Sequence, residues 1–408
     1  MKTLWLLSVG LVGLFACQEA PPPSGATTVR RDSAGIALVT SAAARSPGWY
    51  RVDSVPELDL GGSGDPADEF SGTVIAVELR DGRIVVANQG TSEVRFYDAK
   101  GARLNTVGRK GSGPGEFERI ASLSVGTGDS LLVFDRSTRR LSVIAPTGEI
   151  VRSAMIDLGQ GNLANTVVGV LPGGRILVSP ARSGREPTTS GLVRDSVDLR
   201  VVAADGSVTA VGRFPGSEAV LEIKTHNGEV ISVNIAAVPF GRSSRFVAAD
   251  SLVVVAPSDR YEFDLYGPSG RLRSRIRRDH TPDPVTAADL AADLERAGLP
   301  NEEARARYRK FLATTPVPKT KPAYDRVLPG ADGELWFRDY LGPDHRTRPG
   351  RWTVFDREGG WLTTVELPVG FEPTWIGPDR ILGTWLEADD APRVWGLGAR
   401  RSALGIRQ

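Results

Sequence analysis

The 408-residue sequence predicts an all-β fold built from repeated four-stranded units, and three observations carry that expectation. Turn signals recur at a near-constant spacing. A short apolar strand follows each turn, and a strand with alternating apolar positions follows that. A strand-and-connector pattern from inside the repeats also appears near the N-terminus, before the first complete unit. The first turn of each unit aligns on Gly82, Asp129, Gly174, Asp250, Gly333 and Asp379, at intervals of 47, 45, 76, 83 and 46 residues. A second turn aligns on Gly101, Gly148, Gly206, Gly270 and Gly359. A lone sheet of this size cannot bury its faces, so copies must stack side by side. A period near 45 residues with four short strands per copy is that of a propeller blade. The expected architecture is a six-bladed β-propeller whose last blade is closed by an N-terminal strand, with a small helical insertion between blades four and five.

In chain order, residues 1–16 stand outside the fold. Lys2 supplies a positive start, and Leu4 to Phe15 form an apolar stretch. A run of about a dozen apolar residues is too short for a ~30 Å hydrocarbon core and suits a secretory signal peptide. Leu14-Phe15-Ala16-Cys17 closes it and resembles the lipobox of bacterial lipoproteins. That resemblance implies cleavage between Ala16 and Cys17 and lipidation of Cys17, which is the only cysteine in the chain. It also implies an exported, lipid-anchored protein of the cell envelope. Gln18, rather than Asp, follows the cysteine, which points to the outer membrane, facing the periplasm. Residues 17–34 are rich in Pro, Ser, Ala and Thr and are expected to form a flexible lipidated tether. The propeller body is then residues 35–400.

The stretch Asp81 to Phe117 is the most regular copy. Ile84-Val-Val-Ala87 is one strand, Val94 and Phe96 alternate in the next, and Asp81-Gly82 and Lys100-Gly101 are hairpin turns. It ends in a connector, Gly111-Ser-Gly-Pro-Gly-Glu-Phe117, which parallels Gly62 to Phe70, with the two phenylalanines 47 residues apart. The glycines of this connector could cradle a phosphate, but such cradles precede a helix and this one precedes a strand. The expected role of Phe70 and Phe117 is to wedge between adjacent blades. Leu58-Asp-Leu-Gly61 likewise parallels Ile156-Asp-Leu-Gly159 at the end of blade two. Since the sixth unit is one strand short at the C-terminus, Trp49 to Leu60 is expected to complete it and close the ring.

The two long intervals hold insertions. Ala181 to Val193 reads as a polar loop, and Gly216 to Ser244 as an added hairpin turning at Asn227-Gly228. Residues 286–315 change to helical spacing at Leu290, Leu294, Ala304, Tyr308, Phe311 and Leu312. Thr286-x-x-Asp289 fits a capping box, and Gly298-Leu-Pro300 divides the segment into two helices.

Gly108-Arg109 to Gly113-Pro-Gly-Glu-Phe117, followed by a strand and a second Asp-containing turn, resembles the NHL repeat. Asp32-Ser-Ala-Gly-Ile36 and Asp332-Gly-Glu-Leu-Trp336 are similar to segments of bacterial six-bladed propeller lipoproteins. The resemblance extends over most of residues 32–398 and implies the fold far more than any activity.

No catalytic residues are assigned from the sequence, and no cofactor or metal is expected. His226, His280 and His345 are isolated and lack the spacing of a metal site, so solvated loop positions are expected for them. No Gly-x-Ser-x-Gly elbow is present. Six tryptophans, Trp336, Trp352, Trp361, Trp375, Trp385 and Trp395, fall in the last two blades at mostly alternating positions, where burial between blades accounts for them. Removing Lys2 with the leader from 50 basic residues leaves 49 against 49 acidic ones. That neutral balance gives no footprint for nucleic acid. The expected function is a monomeric, non-enzymatic propeller, anchored to a membrane by its lipid, that binds a protein partner or other envelope component through one face. The alternative is a metal-dependent hydrolase or lyase at the central channel, in the manner of gluconolactonase-like propellers, with Asn88, Asn165, Asn234 and Asp325 as oxygen donors near blade openings. Lipid anchoring is tested by Cys17→Ser, which should move the protein from the membrane to the soluble fraction; continued sedimentation with membranes would contradict it.

Overall fold

Short β-branched and aromatic runs bounded by Gly and Asp turns form antiparallel meanders, and these stack into a ring. The computed structural model describes residues 27–62, 64–156, 165–180, 190–203, 205–227, 229–342, 347–386 and 391–402. Blade one is Val74–Glu78, Ile84–Asn88, Glu93–Tyr97 and Arg103–Val107, in that order across the sheet. Blade two is Ile120–Val125, Leu131–Asp135, Arg140–Ile144 and Ile150–Met155. Blade three has five strands, Asn165–Leu171, Arg175–Pro180, Gly191–Val202, Val208–His226 and Glu229–Ala237. Blade four is Ser244–Ala249, Leu252–Pro257, Glu262–Tyr266 and Leu272–Arg278. Blade five is Tyr324–Pro329, Leu335–Asp339, Gly350–Phe355 and Trp361–Leu367. The first strands of successive blades touch one another around the axis, and that of blade six touches that of blade one, so the ring is closed.

Closure happens as the repeat arithmetic requires. Blade six is Phe371–Ile376, Arg380–Leu386 and Pro392–Arg401, and its outer strand is Tyr50–Leu60 from the other end of the chain. The register runs antiparallel from Val394 opposite Leu60 to Arg401 opposite Tyr50. The buried Tyr50 hydroxyl also donates to the Gly377 carbonyl at 3.1 Å.

The hydrophobic core is six separate layers, one between each neighbouring pair of blades. The layer between blades four and five holds Phe263, Phe337, Phe355, Tyr261 and Tyr324, with Phe263 and Phe337 centroids 4.4 Å apart. The layer between five and six holds Trp336 and Trp352, as expected for tryptophans at alternating strand positions. Phe117 sits in the layer between blades one and two and Phe70 in that between six and one, which is the wedge role expected of both. A Cβ at Gly108 would lie 2.5 Å from Phe117 Cδ2, and one at Gly61 2.7 Å from Phe70 Cδ2, so each ring packs directly on a glycine.

The second-turn glycines have a tertiary reason as well as a local one. Gly101, Gly148, Gly270 and Gly359 all have positive φ, and each presses on the outer strand of the preceding blade. A Cβ would meet Leu60 Cδ2 at 2.8 Å for Gly101, Asn105 Nδ2 at 2.3 Å for Gly148, the Ala210 carbonyl at 2.6 Å for Gly270 and Ile276 Cγ1 at 2.3 Å for Gly359. Gly206, in blade three, keeps the positive φ but has open space around it.

Three features depart from the sequence reading. Thr28–Ser33 and Ile36–Ser41 form a hairpin, so the folded chain reaches into the segment expected to be tether. Its second strand runs parallel to Leu272–Arg278, making blade four a six-stranded sheet, and Val39 joins the core there. The added hairpin about Asn227 is present, with His226 opposite Glu229, but it belongs to blade three and continues that blade's outer strand without a break. Of the expected polar loop, residues 181–189 lie outside the described residues, and Gly191–Val193 is already strand. The helical insertion is as expected, Ala287–Arg296 and Glu302–Thr314. Thr286 and Asp289 form the capping box, and Lys321 Nζ at 2.7 Å holds the Asp289 carboxyl down at about 2. No helix among the described residues is long and apolar enough to cross a membrane.

Gly359→Ala tests the blade-to-blade contact. It adds backbone strain at φ +86° and drives a methyl into Ile276, so it should destabilise the fold by about 2 kcal/mol or more, against a few tenths for Gly206→Ala beyond the same local strain. Denaturant midpoints of the two variants measure the difference.

Candidate binding face and channel mouth

In an antiparallel meander whose first strand is innermost, the links between blades and the second-to-third-strand loops all fall on one face of the ring. The remaining two turns of each blade fall on the other. On that second face the links are tight, for example residues 79–83, 98–102 and 356–360. Apart from the N-terminal hairpin on the outer edge of blade four, the long departures from the repeat lie on the first face: the linkers Gly61–Thr73 and Gly108–Arg119, the raised hairpin of blade three, and residues 279–323 with both helices. Most of the irregular sequence therefore lies together on one side.

At the centre of that face, three blades bring charged side chains to the channel mouth. The second residue of the innermost strand is Ile75 in blade one and Ala121 in blade two, but Arg245, Asp325 and Glu372 in blades four, five and six. Asp325 Oδ2 accepts from the Leu341 and Gly342 amides at 3.0 and 2.8 Å, which fixes the carboxylate against the loop of its own blade. Arg338 Nε donates to Asp325 Oδ1 at 2.6 Å while its Nη1 donates to Glu372 Oε1 of the next blade. Arg326 donates to the other oxygen of Glu372 and, at 2.8 Å, to the Pro373 carbonyl. Arg245 spans from blade four, its Nε donating to the Asp325 carbonyl at 2.8 Å.

Three guanidinium groups face two carboxylates, which leaves one positive charge in excess. Burial works against the charge of Arg338, but Asp325 and Glu372 outweigh it, and the pKa is raised. For Arg326 and Arg245 burial wins, and both pKa values are pushed down despite Glu372 and Asp325 respectively. Arg245 nevertheless remains open to solvent. Protein mass on several sides together with an accessible tip describes a side chain at the rim of an open mouth. It is the least compensated cation of the cluster.

The sequence-predicted donors do not assemble there. Asn88 is fully buried at the end of its strand, accepting from the Ser71 amide at 3.0 Å and donating to the Glu69 carbonyl at 3.3 Å. Asp135, 47 residues on, does the same in blade two, accepting from the Glu118, Arg119 and Thr138 amides. Both hold an inter-blade connector in place. Asn165 begins the inner strand of blade three, and Asn234 lies exposed on that blade's outermost strand beside Glu222. Of Asn88, Asn234 and Asp325, Asp325 is the one that reaches the mouth, where Arg338 neutralises it. Among the described residues no three His, Cys, Asp or Glu side chains come together as a metal site.

Of the histidines, His226 is exposed at the hairpin end, and His345 lies outside the described residues, as do Ala16 and Cys17. His280 differs from the expected solvated loop position. It is half-buried with its ring 5.4 Å from that of Tyr261, and burial followed by Arg278 pushes its pKa down. Arg278 itself stacks between Tyr261, 3.9 Å away, and Trp361, 4.5 Å away. Trp385 and Trp395 stack on each other at 4.5 Å with ring planes 6° apart. The charged cluster was missed because its members lie far apart in sequence; aligning the second position of each innermost strand is the signal that finds it.

Fold and repeat together define a six-bladed β-propeller of NHL-like repeats. Residues 68–144 match the sequence profile of DUF5128, a family described as a 6-bladed beta-propeller. The chain is also similar to the E3 ubiquitin-protein ligase NHLRC1 of Homo sapiens, 24% identical over 279 residues, 65% of this chain and 66% of that protein. The match thus spans just under two thirds of the human protein. Among solved structures, the chain is similar to a DUF4221 family member from Bacteroides vulgatus, with 10% identity, TM-score 0.49, and coverage of 88% of this chain and 100% of that one. It is similar too to a gluconolactonase from Xanthomonas campestris, with 12% identity, TM-score 0.37, and coverage of 88% and 98%.

Arg338→Ala would leave Asp325 and Glu372 facing each other without their shared cation. A loss of about 3 kcal/mol is expected, as for other broken, mostly buried pairs, whereas Arg245→Ala should change stability by less than about 1 kcal/mol. Chemical denaturation of both variants makes the comparison.

Proposed function

We propose that this chain is a lipid-anchored envelope protein that works as a binding scaffold, engaging a protein partner or other envelope component through the connector face without chemistry of its own. One observation carries the reading: apart from the N-terminal hairpin on the rim of blade four, the long irregular segments gather on that face, around a mouth with an unbalanced arginine, while the opposite face is short turns. Loops that a fold does not need for its own packing are where binding residues concentrate. The lipid anchor at Cys17 and delivery to the outer membrane, facing the periplasm, rest on the leader and belong to the same proposal.

The competing reading, a divalent-metal hydrolase or lyase at the channel, needs free carboxylates to hold the ion. Among the described residues, the Asp325 and Glu372 carboxylates at the mouth are paired with arginines, which supports the scaffold reading over this one. A photoreactive side chain introduced at Arg307, on the second helix, should crosslink a partner in cells. The same group at Lys100, in a turn of the opposite face, should not. Crosslinks of equal strength from both positions would contradict one-faced recognition.

A further inference from the structure

The strand Glu229–Ala237 is the free edge of blade three, and its composition is unlike that of the other edges. An open edge presents a row of unpaired N–H and C=O groups, and proteins normally blunt it with charge, proline or short length. The outer strand of blade one has only five residues and begins with Arg103. Those of blades two and five carry Arg152 and Glu366. The outer strand of blade six contains Arg51, Asp53, Pro56 and Glu57, and the hairpin covering blade four contains Arg30, Arg31 and Asp32. In blade three the eight residues Val230 to Ala237 include no charge and no proline.

This edge is also where exposed apolar surface collects. Of the twelve large hydrophobic residues exposed among the described residues, Leu192, Val230, Ile231, Val233 and Ile235 belong to this one raised hairpin sheet. Val233 and Ile235, 41% and 53% exposed, stand opposite Ile223 and Leu221 on the neighbouring strand and so share a face with them. Ile231, 65% exposed, lies in the bulge beside them. Propeller packing gives these side chains no cover.

We propose that, in place of the monomer expected from the sequence, a second copy of this chain covers them, with the two Glu229–Ala237 strands pairing antiparallel about a two-fold axis at Val233. The sequence of the strand is self-complementary in that register. Val233 meets its own copy and Ile231 meets Ile235 on the apolar side, while Ser232 meets Asn234 on the polar side. Shifting the register by one residue would set Ser232 and Asn234 against the apolar row. An isologous contact of this kind joins two five-stranded blades into one continuous sheet and leaves neither edge open. It also leaves the channel mouth of each copy unobstructed by its own hairpin's partner strand, because the pairing lies at the outer edge of the blade.

The test uses the full chain carrying Cys17→Ser, so that no native thiol competes. Sedimentation equilibrium should give twice the chain mass, and Val233→Lys should return it to a single chain whose far-ultraviolet circular dichroism spectrum is unchanged. Val233→Cys should oxidise to a disulfide-linked dimer, since directly opposed antiparallel residues have Cα atoms about 4.5–5.5 Å apart. Glu229→Cys, which would stand opposite Ala237, should not crosslink to itself. A single-chain mass at every concentration tested, the outcome expected for a monomer or for an edge reserved to another partner, overturns the proposal. So does a dimer in which Val233→Cys fails to crosslink, or in which Glu229→Cys crosslinks equally well.

Discussion

No blade of this protein buries its own faces; each is covered by its neighbours, and everything else follows from how closely they approach. The six apolar layers lie between sheets, and a fully buried Leu, Phe or Ile in such a layer contributes about 2 kcal/mol. The surface ion pairs that decorate the outer strands contribute about 0–1 kcal/mol each, so they do not hold the ring. Close approach depends on missing side chains: Gly359 on Ile276, Gly148 on Asn105, Gly108 and Gly61 under Phe117 and Phe70. Because each layer needs both of its walls, the ring must close, and the strand Tyr50–Leu60 supplies the missing wall from the other end of the chain.

That constraint divides the two faces. On the tight-turn side the chain must return within a few residues, and its glycines are pressed against the preceding blade, so length cannot be added there. On the connector side the chain is already leaving one blade for the next, and extra residues do not disturb the layers. Blade three's raised hairpin and the two capped helices use this freedom. At the centre of the same side, blades four to six replace apolar channel residues with arginines and carboxylates. Such a cluster is costly to desolvate and adds little stability over apolar packing. Its presence in an otherwise economical repeat is the physical reason to associate it with binding.

Much of the architecture was legible because it is periodic. The turns at Gly82 and Asp129, and those at Gly101 and Gly148, repeat with the blade, and the 47-residue echo of Phe70 in Phe117 exposed the connectors and the ring closure together. The same periodicity contained the connector-holding pair Asn88 and Asp135, also 47 residues apart, although Asn88, taken as a single polar residue, reads more readily as a candidate metal donor than as a loop anchor. The hairpin Thr28–Ser41 was not legible. Its first strand, Thr-Val-Arg-Arg-Asp-Ser, has no apolar alternation, and it is a strand because Ile36–Ser41, itself held parallel to the outer strand of blade four, offers it hydrogen bonds.

By itself, then, the sequence determined the number of blades, the order of strands, the terminal strand that closes the ring and the helices with their capping box. These are consequences of local chemistry: turn residues, strand periodicity and caps act over a few positions, and repetition multiplies the signal. Tertiary structure alone decided which polar residues meet. Arg245, Asp325, Arg338 and Glu372 are separated by up to 127 residues, the difference between positions 245 and 372, and join only because the innermost strands of blades four to six, with the second strand of blade five that carries Arg338, converge on one axis. It also decided that Val233 and Ile235 stay uncovered, since a strand's exposure depends on whether another strand lies beside it, and no residue within the strand records that.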